Sequence, residues 1–255
     1  MMKTKCLVIG ASNSSRPPVK CWPQYVSEHF NIHIRNAALR GTTPEHVYDM
    51  YAENIDYNPD LILVDIPPWY RYHIALSTTV QNVSMNKIIN VTENYEEVEY
   101  KSFKGIVPIG GFITDTDNYA EWLKKQIIPN SSLSLYDVYK RRTKNRKSFD
   151  TIINALNDVR HSSYFKHKAY KDILLLKSVC NVPIKFLHTI GPYDPIDLPQ
   201  DDFLCENPYN WIKDNFNNYE EFFQDEWAHF TPSSHQYVSE NLYIPAIENL
   251  LNSIS

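Results

Sequence analysis

The chain has 255 residues, of which 43% are hydrophobic and 22% are charged, and this is ordinary for one large globular domain. Its net charge of -5 gives no general reason to expect nucleic acid or an anionic membrane as a partner. The composition therefore indicates a globular protein with a small negative charge, and it does not by itself indicate a function.

Short apolar runs alternate with a helical segment in the first quarter of the chain. Buried strands are predicted at three places: residues 5–10, 31–38 and 60–66. Between the second and third strands, residues 42–55 begin with a helix-start signal. Thr43 is placed to cap, Pro44 fits the first turn, and Glu45 favours the helix dipole. This strand–helix–strand order predicts an α/β fold with a parallel sheet.

The rest of the chain is less regular. The predicted elements are β-like pieces at 86–92 and 104–112, helices near 118–127 and within 134–180, a strand at 182–190, a proline-rich loop at 191–202, and a last helix from Thr231, kinked or broken at Pro245. No internal repeat or linker is visible. We therefore predict a single α/β domain over 1–255, with a largely helical insertion at about 86–180.

Cysteine usage and the N-terminus bear on the compartment. The four cysteines, Cys6, Cys21, Cys180 and Cys205, form no C-x-x-C pair, so neither a zinc site nor a dense disulfide framework is expected. The apolar stretch at the N-terminus is too short for a signal peptide, and no run reaches membrane-spanning length. We expect a cytoplasmic protein with no membrane partner. Abundant Asn, Lys, Ile and Tyr are typical of an AT-rich genome, so a phage protein located in the virion is an alternative.

Three short motifs follow predicted strands or precede the last helix. Ser12 comes directly after the first strand, at the edge where open α/β sheets bind ligands. Gly41 follows the second strand, and the lack of a side chain lets its backbone N–H approach a ligand closely. Near the end, Glu226 and His229 are three residues apart, which lets an acid and a base meet on one turn. Asp225 is a competitor for the acid.

In this order the motifs resemble the SGNH (GDSL-like) serine hydrolases. The resemblance covers roughly residues 3–75 and 182–252. It implies a three-layer αβα fold with a flavodoxin-like parallel sheet and no metal or organic cofactor. Under it, Ser12 is the nucleophile, His229 the base and Glu226 or Asp225 the acid. The backbone N–H groups of Ser12 and Gly41 then contribute to the oxyanion hole.

The chain departs from this family after the third strand. The family usually has Gly-x-Asn-Asp there, and its asparagine is an oxyanion donor, whereas this chain reads Pro67-Pro68-Trp69. Proline also lacks the N–H group. Arg71 is the candidate substitute for the missing donor. Asn13, Trp69 and Tyr70 are candidate substrate contacts, the two aromatic rings as a stacking wall for a sugar or aromatic group.

The expected function is that of an esterase or deacetylase acting on a small-molecule or glycan acyl ester through an acyl-enzyme. The abundance of aromatic residues favours a carbohydrate. The first alternative is a catalytically degenerate member of the same fold that serves as a binding or structural protein, for example in a virion.

A second alternative is a phosphate binder that uses residues 10–15. That segment lacks the further glycines of G-x-G-x-x-G and the lysine of a P-loop. A metal site at His229 and His235 is not expected either, because their spacing is not a standard ligand pattern. Taken singly, Ser12 can also be a turn residue that caps the next helix, and His229 an ordinary loop histidine.

Overall fold

The structure is a computed structural model. It describes residues 3–11, 13–14, 19–39, 42–67, 72–75, 85–100, 106–109, 124, 132–142, 149–151, 163–188, 196–224 and 229–254. For 72–75 and 106–109 the description is limited to the backbone.

The strands of this part are β1 (Thr4–Gly10), β2 (Ile32–Asn36), β3 (Leu61–Asp65), β4 (Tyr72–Ala75), β5 (Met85–Ile89), β6 (Tyr95–Tyr100), β7 (Ile106–Ile109) and β8 (Ile184–Leu187). Its main helices are α1 (Trp22–His29), α2 (Pro44–Glu53), α3 (Leu135–Arg142), α4 (Ser163–Val179), α5 (Pro208–Asn215), α6 (Pro232–Val238) and α7 (Ile244–Ile254). Single 3-10 turns lie at Ile55–Tyr57, Gln200–Asp202 and Tyr219–Phe222.

Among the described residues, six strands form a central sheet in the order β5-β6-β2-β1-β3-β8. All neighbouring pairs in it are parallel except β5 and β6, which are antiparallel. β1 is central, and its Cys6 pairs with Ile34 of β2 and with Leu61 of β3. β4 and β7 form a separate antiparallel pair. The predicted α/β fold with a mainly parallel sheet is confirmed.

Helices cover both faces of this sheet. On one face, Leu7 of β1 belongs to a buried cluster with Met50 of α2 and Ile173 of α4. On the other face, Val8 belongs to a cluster with Trp22 of α1 and with residues of α6 and α7. Side chains alternate between the faces of a strand, so a strand covered on both sides is apolar at nearly every position. This explains the continuous apolar runs of β1 and β3.

The two ends of the predicted insertion are part of the main fold. β5 and β6 extend the central sheet beyond β2, and α4 packs against α2. Among the described strands β5 lies at the edge of the sheet, and the three residues in its middle, including Lys87, are exposed. For the residues between these ends, the insertion stays a prediction.

The C-terminal helical segment changes its hydrogen-bonding pattern just before Pro245. α6 continues into a π-helical turn at Ser239–Tyr243, and α7 starts directly after it. Proline cannot donate a backbone hydrogen bond and crowds the carbonyl four residues earlier. Loosening of the helix immediately before the proline relieves this conflict. The predicted irregularity at Pro245 is thus confirmed, in the form of a π turn.

All four cysteines lie within the described residues, and none of them forms a disulfide. Burial raises the pKa of the Cys6 thiol far above its ordinary value and that of Cys205 to about 12. None of the described helices has both the length and the apolar character needed to cross a membrane.

Candidate functional site

The carboxyl ends of β2, β1, β3 and β8 lie side by side at one edge of the sheet. The chain leaves β1 to form β2 on one side and later returns to form β3 on the other side. In open α/β sheets such a reversal separates the flanking loops and opens a crevice at the strand ends. The described residues that directly follow β1 and β3 lie at this reversal of strand order.

Gly10 brings the end of β1 against the end of β3. Its φ of +121° is in a region that residues with a side chain rarely adopt, and a Cβ there would lie 1.9 Å from the Asp65 carbonyl oxygen. The next residue, Ala11, donates its N–H to that same carbonyl at 3.0 Å. The chain therefore enters the Ser12 region along a backbone path that requires glycine at position 10.

A buried polar network holds the loop after β1. The Ser14 hydroxyl donates to Asp65 Oδ2 at 2.7 Å and accepts from Trp22 Nε1 at 2.9 Å. None of these three side chains has measurable exposure. Because buried polar groups are costly unless hydrogen-bonded, this arrangement fixes the loop to β3 and to the start of α1.

Asn36, the last residue of β2, fastens the same loop from the other side. Its amide nitrogen donates to the Ser14 carbonyl at 2.6 Å and to the Tyr95 hydroxyl at 3.0 Å. Its amide oxygen accepts the N–H of Ala38 at 3.2 Å. Burial raises the pKa of Tyr95 well above its ordinary value, so this hydroxyl stays neutral. The loop after β1 is thus bound to β2 as well as to β3.

Asn13 joins this loop to the C-terminal segment. Its side chain is fully buried, and its Oδ1 accepts the backbone N–H of Phe230 at 3.3 Å. Asn13 directly follows Ser12 in the chain, and Phe230 directly follows His229. Asn13 and Phe230 are 217 residues apart in sequence, yet one hydrogen bond joins them. This bond therefore links the chain next to the predicted nucleophile with the chain next to the predicted base.

The segment around His229 is held by its own contacts. The His229 carbonyl accepts the N–H of Gln224 at 2.9 Å, and its side chain is half-buried. Thr231 caps α6, since its side chain accepts the N–H of Ser234 at 3.2 Å. His235 is completely buried, and its ring lies edge-on to Phe230 with 5.3 Å between centroids. The helix start predicted at Thr231-Pro232 is confirmed.

Two of the candidate site residues, Asn13 and His229, have described positions. The candidates that lie outside the described residues are Ser12, Gly41, Trp69, Tyr70, Arg71, Asp225 and Glu226. What the structure brings together is thus the chain next to Ser12 and the chain next to His229, through Asn13 and Phe230.

Sequence reasoning did not identify Ser14, Trp22, Asn36 and Asp65 as parts of this edge. A usable signal existed for Asp65, because it is the one charged residue at the end of an otherwise apolar strand. Asn36 is also a polar residue at the end of a strand, and the structure shows that its side chain is buried. Trp22 gave no such signal, since only the fold reveals which polar group its indole N–H meets.

The start of α2 has two buried hydroxyls. Thr42 and Thr43 have no exposed surface, and their hydroxyls have no hydrogen-bond partner among the described residues. Thr43 is at the N-cap position, but its side chain makes no capping hydrogen bond. The helix predicted here is confirmed, whereas the expected capping bond is not formed.

A further histidine lies at the same edge of the sheet. His188 directly follows β8 and stacks on Phe203 with 3.9 Å between ring centroids. Burial lowers the pKa of His188 from 6.5 to about 4. The imidazole is therefore neutral near pH 7.

The described side chains contain no group of three His, Cys, Asp or Glu residues able to hold a metal ion. A scan against models of protein families and a search of curated proteins found no match to this sequence.

Proposed function

We propose that the protein is an SGNH-type serine hydrolase that cleaves an acyl ester of a small molecule or glycan. The observation that carries this proposal is the hydrogen bond from the Phe230 N–H to Asn13 Oδ1. It joins the chain next to His229 to the chain next to Ser12, which is the proximity that a nucleophile and its base require.

The sheet gives independent support. Its strands β2, β1, β3 and β8 are parallel and adjacent in the order that a flavodoxin-like sheet has. Ala11 and Asn13 flank Ser12 at the carboxyl end of the central strand, where such sheets place their ligands. The same order is the one that the resemblance to the SGNH hydrolases implies.

The proposed reaction has two steps. The Ser12 oxygen attacks the acyl carbonyl while His229 takes the hydroxyl proton, and the alcohol leaves with that proton, so an acyl-enzyme remains. Water then attacks the acyl-enzyme, again with His229 as base, and releases the carboxylic acid. Glu226 or Asp225 orients the imidazole and stabilises its charged form.

The negative charge of each tetrahedral intermediate needs hydrogen-bond donors. The backbone N–H groups of Ser12 and Gly41 and the guanidinium of Arg71 are the proposed donors. The buried network of Ser14, Asp65 and Asn36 supports this role, because donors must be held in place before the charge develops. Trp69 and Tyr70 are the proposed substrate contacts.

Covalent labelling tests the proposal. The purified chain is treated with a fluorophosphonate, and the adduct is located by peptide mass spectrometry. We expect labelling of Ser12, none in Ser12→Ala, and labelling at least about 100-fold slower in His229→Ala, since a general base contributes on that order. His167→Ala is the matched control, because His167 is an exposed histidine on α4.

Two results would overturn the proposal. One is a folded wild-type protein that takes up no label, and the other is an adduct at Ser12 whose rate is the same in His229→Ala. The first result would favour the catalytically degenerate binding or structural protein, with Trp69 and Tyr70 as the next residues to test, whereas the second would mean that a group other than His229 activates Ser12. A labelled wild type would lead to a panel of acyl esters.

A further inference from the structure

A separate cavity of about 420 Å³ lies between α1 and the turn that joins β5 to β6. Gln24, Ser27 and Glu28 of α1 form one wall, and residues 90–97 form the other. Its size is within the range of small-ligand sites, and most of its lining side chains are polar. It lies on the α1 face of the sheet.

Glu97 is the buried acid of this cavity. It is 6% exposed and points to the same face of β6 as Tyr95, two residues earlier. Asn90 Nδ2 donates to Glu97 Oε2 at 2.7 Å. Asn90 itself has a left-handed φ of 51°, which turns the chain around the cavity mouth. Among the described residues, no lysine, arginine or histidine forms an ion pair with Glu97.

The other charges at the cavity are already paired. Glu28 accepts from Lys20 at 2.5 Å, and Glu93 accepts from Lys3 at 2.7 Å. The Lys20 ammonium also lies 4.0 Å from the ring centre of Tyr25. When the Lys3 partner of Glu93 is counted, the three carboxylates of the lining face two ammonium groups, so one negative charge remains. A ligand entering the cavity therefore meets negative potential centred on one buried carboxylate.

We propose that this cavity binds a small hydroxylated primary amine, of the amino-sugar class, whose ammonium group pairs with Glu97. Among the described residues Glu97 accepts from one neutral side chain, that of Asn90, and a buried carboxylate in such surroundings is electrostatically favourable to a cation. An ammonium supplies a compact charge and three donors. The amide and hydroxyl groups of Gln24, Thr92 and Asn94 suit ligand hydroxyls. The proposal does not rest on the proposed hydrolase activity.

Isothermal titration of the full chain with glucosamine, glucose and N-acetylglucosamine tests this. The three sugars share a ring, and glucosamine alone carries an ammonium group. We expect glucosamine to bind at least about 10-fold more tightly than the other two, which is the order of a hydrogen bond to a charged group. In Glu97→Gln this preference should be lost, because the amide keeps the shape and still accepts from Asn90.

Glu28→Gln is the matched control. It removes a carboxylate from the same cavity, but one that is already paired with Lys20, so the preference for glucosamine should remain. Thermal unfolding of each variant confirms that it is folded. Equal affinity for glucosamine and glucose, retention of the preference in Glu97→Gln, or no binding of glucosamine at millimolar concentration would each overturn the proposal.

Discussion

At the scale of single residues, Ser14 shows how one small side chain holds several segments together. Its hydroxyl contacts Asp65 and Trp22, and its carbonyl oxygen accepts from Asn36. Each contact joins the loop after β1 to a different element. Because the loop carries Ser12, the rigidity of this network bears on the precision with which a nucleophile is placed.

Ser14→Ala should lower the free energy of unfolding by about 1–3 kcal/mol, because it removes the donor to the buried Asp65 carboxylate and the acceptor of the Trp22 N–H. Urea denaturation measures this. Ser239→Ala is the matched control: Ser239 is equally buried, but its hydroxyl donates only to the His235 carbonyl one turn earlier. A loss in Ser14→Ala no greater than in the control would contradict the role given to this network.

At the scale of elements, similar helix-start sequences form a capping hydrogen bond at two helices but not at a third. Thr231 and Asn207 both precede a proline, and the side chain of each accepts a backbone N–H of its helix. Thr43 has the same pattern, yet its hydroxyl forms no such bond. The cap at Thr231 has more than local importance, because it begins the helix that follows His229 and Phe230.

Thr231→Ala should destabilise the protein by about 1 kcal/mol, the usual cost of losing a capping side chain. Thr231→Ser should leave stability within about 0.5 kcal/mol of the wild type, since serine caps at least as well. Thermal or urea unfolding measures both. If the proposed hydrolase is correct, Thr231→Ala should also slow fluorophosphonate labelling of Ser12, because the His229 segment loses its anchor; equal rates in the two variants would contradict this.

At the scale of the whole molecule, the addition of β8 next to β3 partly buries a histidine. β8 pairs with β3, and the chain after β8 folds back so that the Phe203 ring stacks on the His188 ring. Residues that are far apart in sequence thus exclude water from an ionisable ring. The resulting shift in pKa makes the stability of the whole protein depend on pH.

Burial lowers the pKa of His188 to about 4 in the folded protein, below its ordinary 6.5. The unfolded chain therefore binds this proton first as the pH falls through about 6.5, and the free energy of unfolding decreases until about pH 4, by up to about 3 kcal/mol. Above about pH 7 the group has no such effect. Burial lowers the pKa of His46 too, which adds to the same trend.

Urea denaturation at a series of pH values measures this contribution as the difference between wild type and His188→Phe, which keeps a ring on Phe203 but cannot titrate. We expect the variant to lose less stability between pH 6.5 and 4. His167→Gln, at an exposed position of α4, should follow the wild-type curve. Parallel curves for wild type and His188→Phe would show that His188 does not titrate as its burial predicts.

Much of the fold could be predicted because its signals are local. The apolar runs of β1, β2 and β3, and the helix between β2 and β3, needed only periodicity and cap residues. The place of β5 and β6 could not be predicted in this way. They lie inside a stretch of weak periodicity, and their membership of the sheet depends on pairing of Ile34 with Tyr95, which are 61 positions apart. For the site, the sequence pointed to Ser12 and His229, but not to Ser14, Asp65 or Asn36.

The sequence by itself determined the class of fold and the positions of its first three strands along the chain, because hydrophobic periodicity and cap chemistry act over a few residues. It also singled out Ser12, Gly41 and His229 as candidates. Only the tertiary structure decided that Asn13 and Phe230 meet, that Asp65 and Trp22 share one hydroxyl, and that Glu97 faces a cavity. Such contacts join residues distant in the chain, and they exist only once packing of the whole sheet has excluded water from between them.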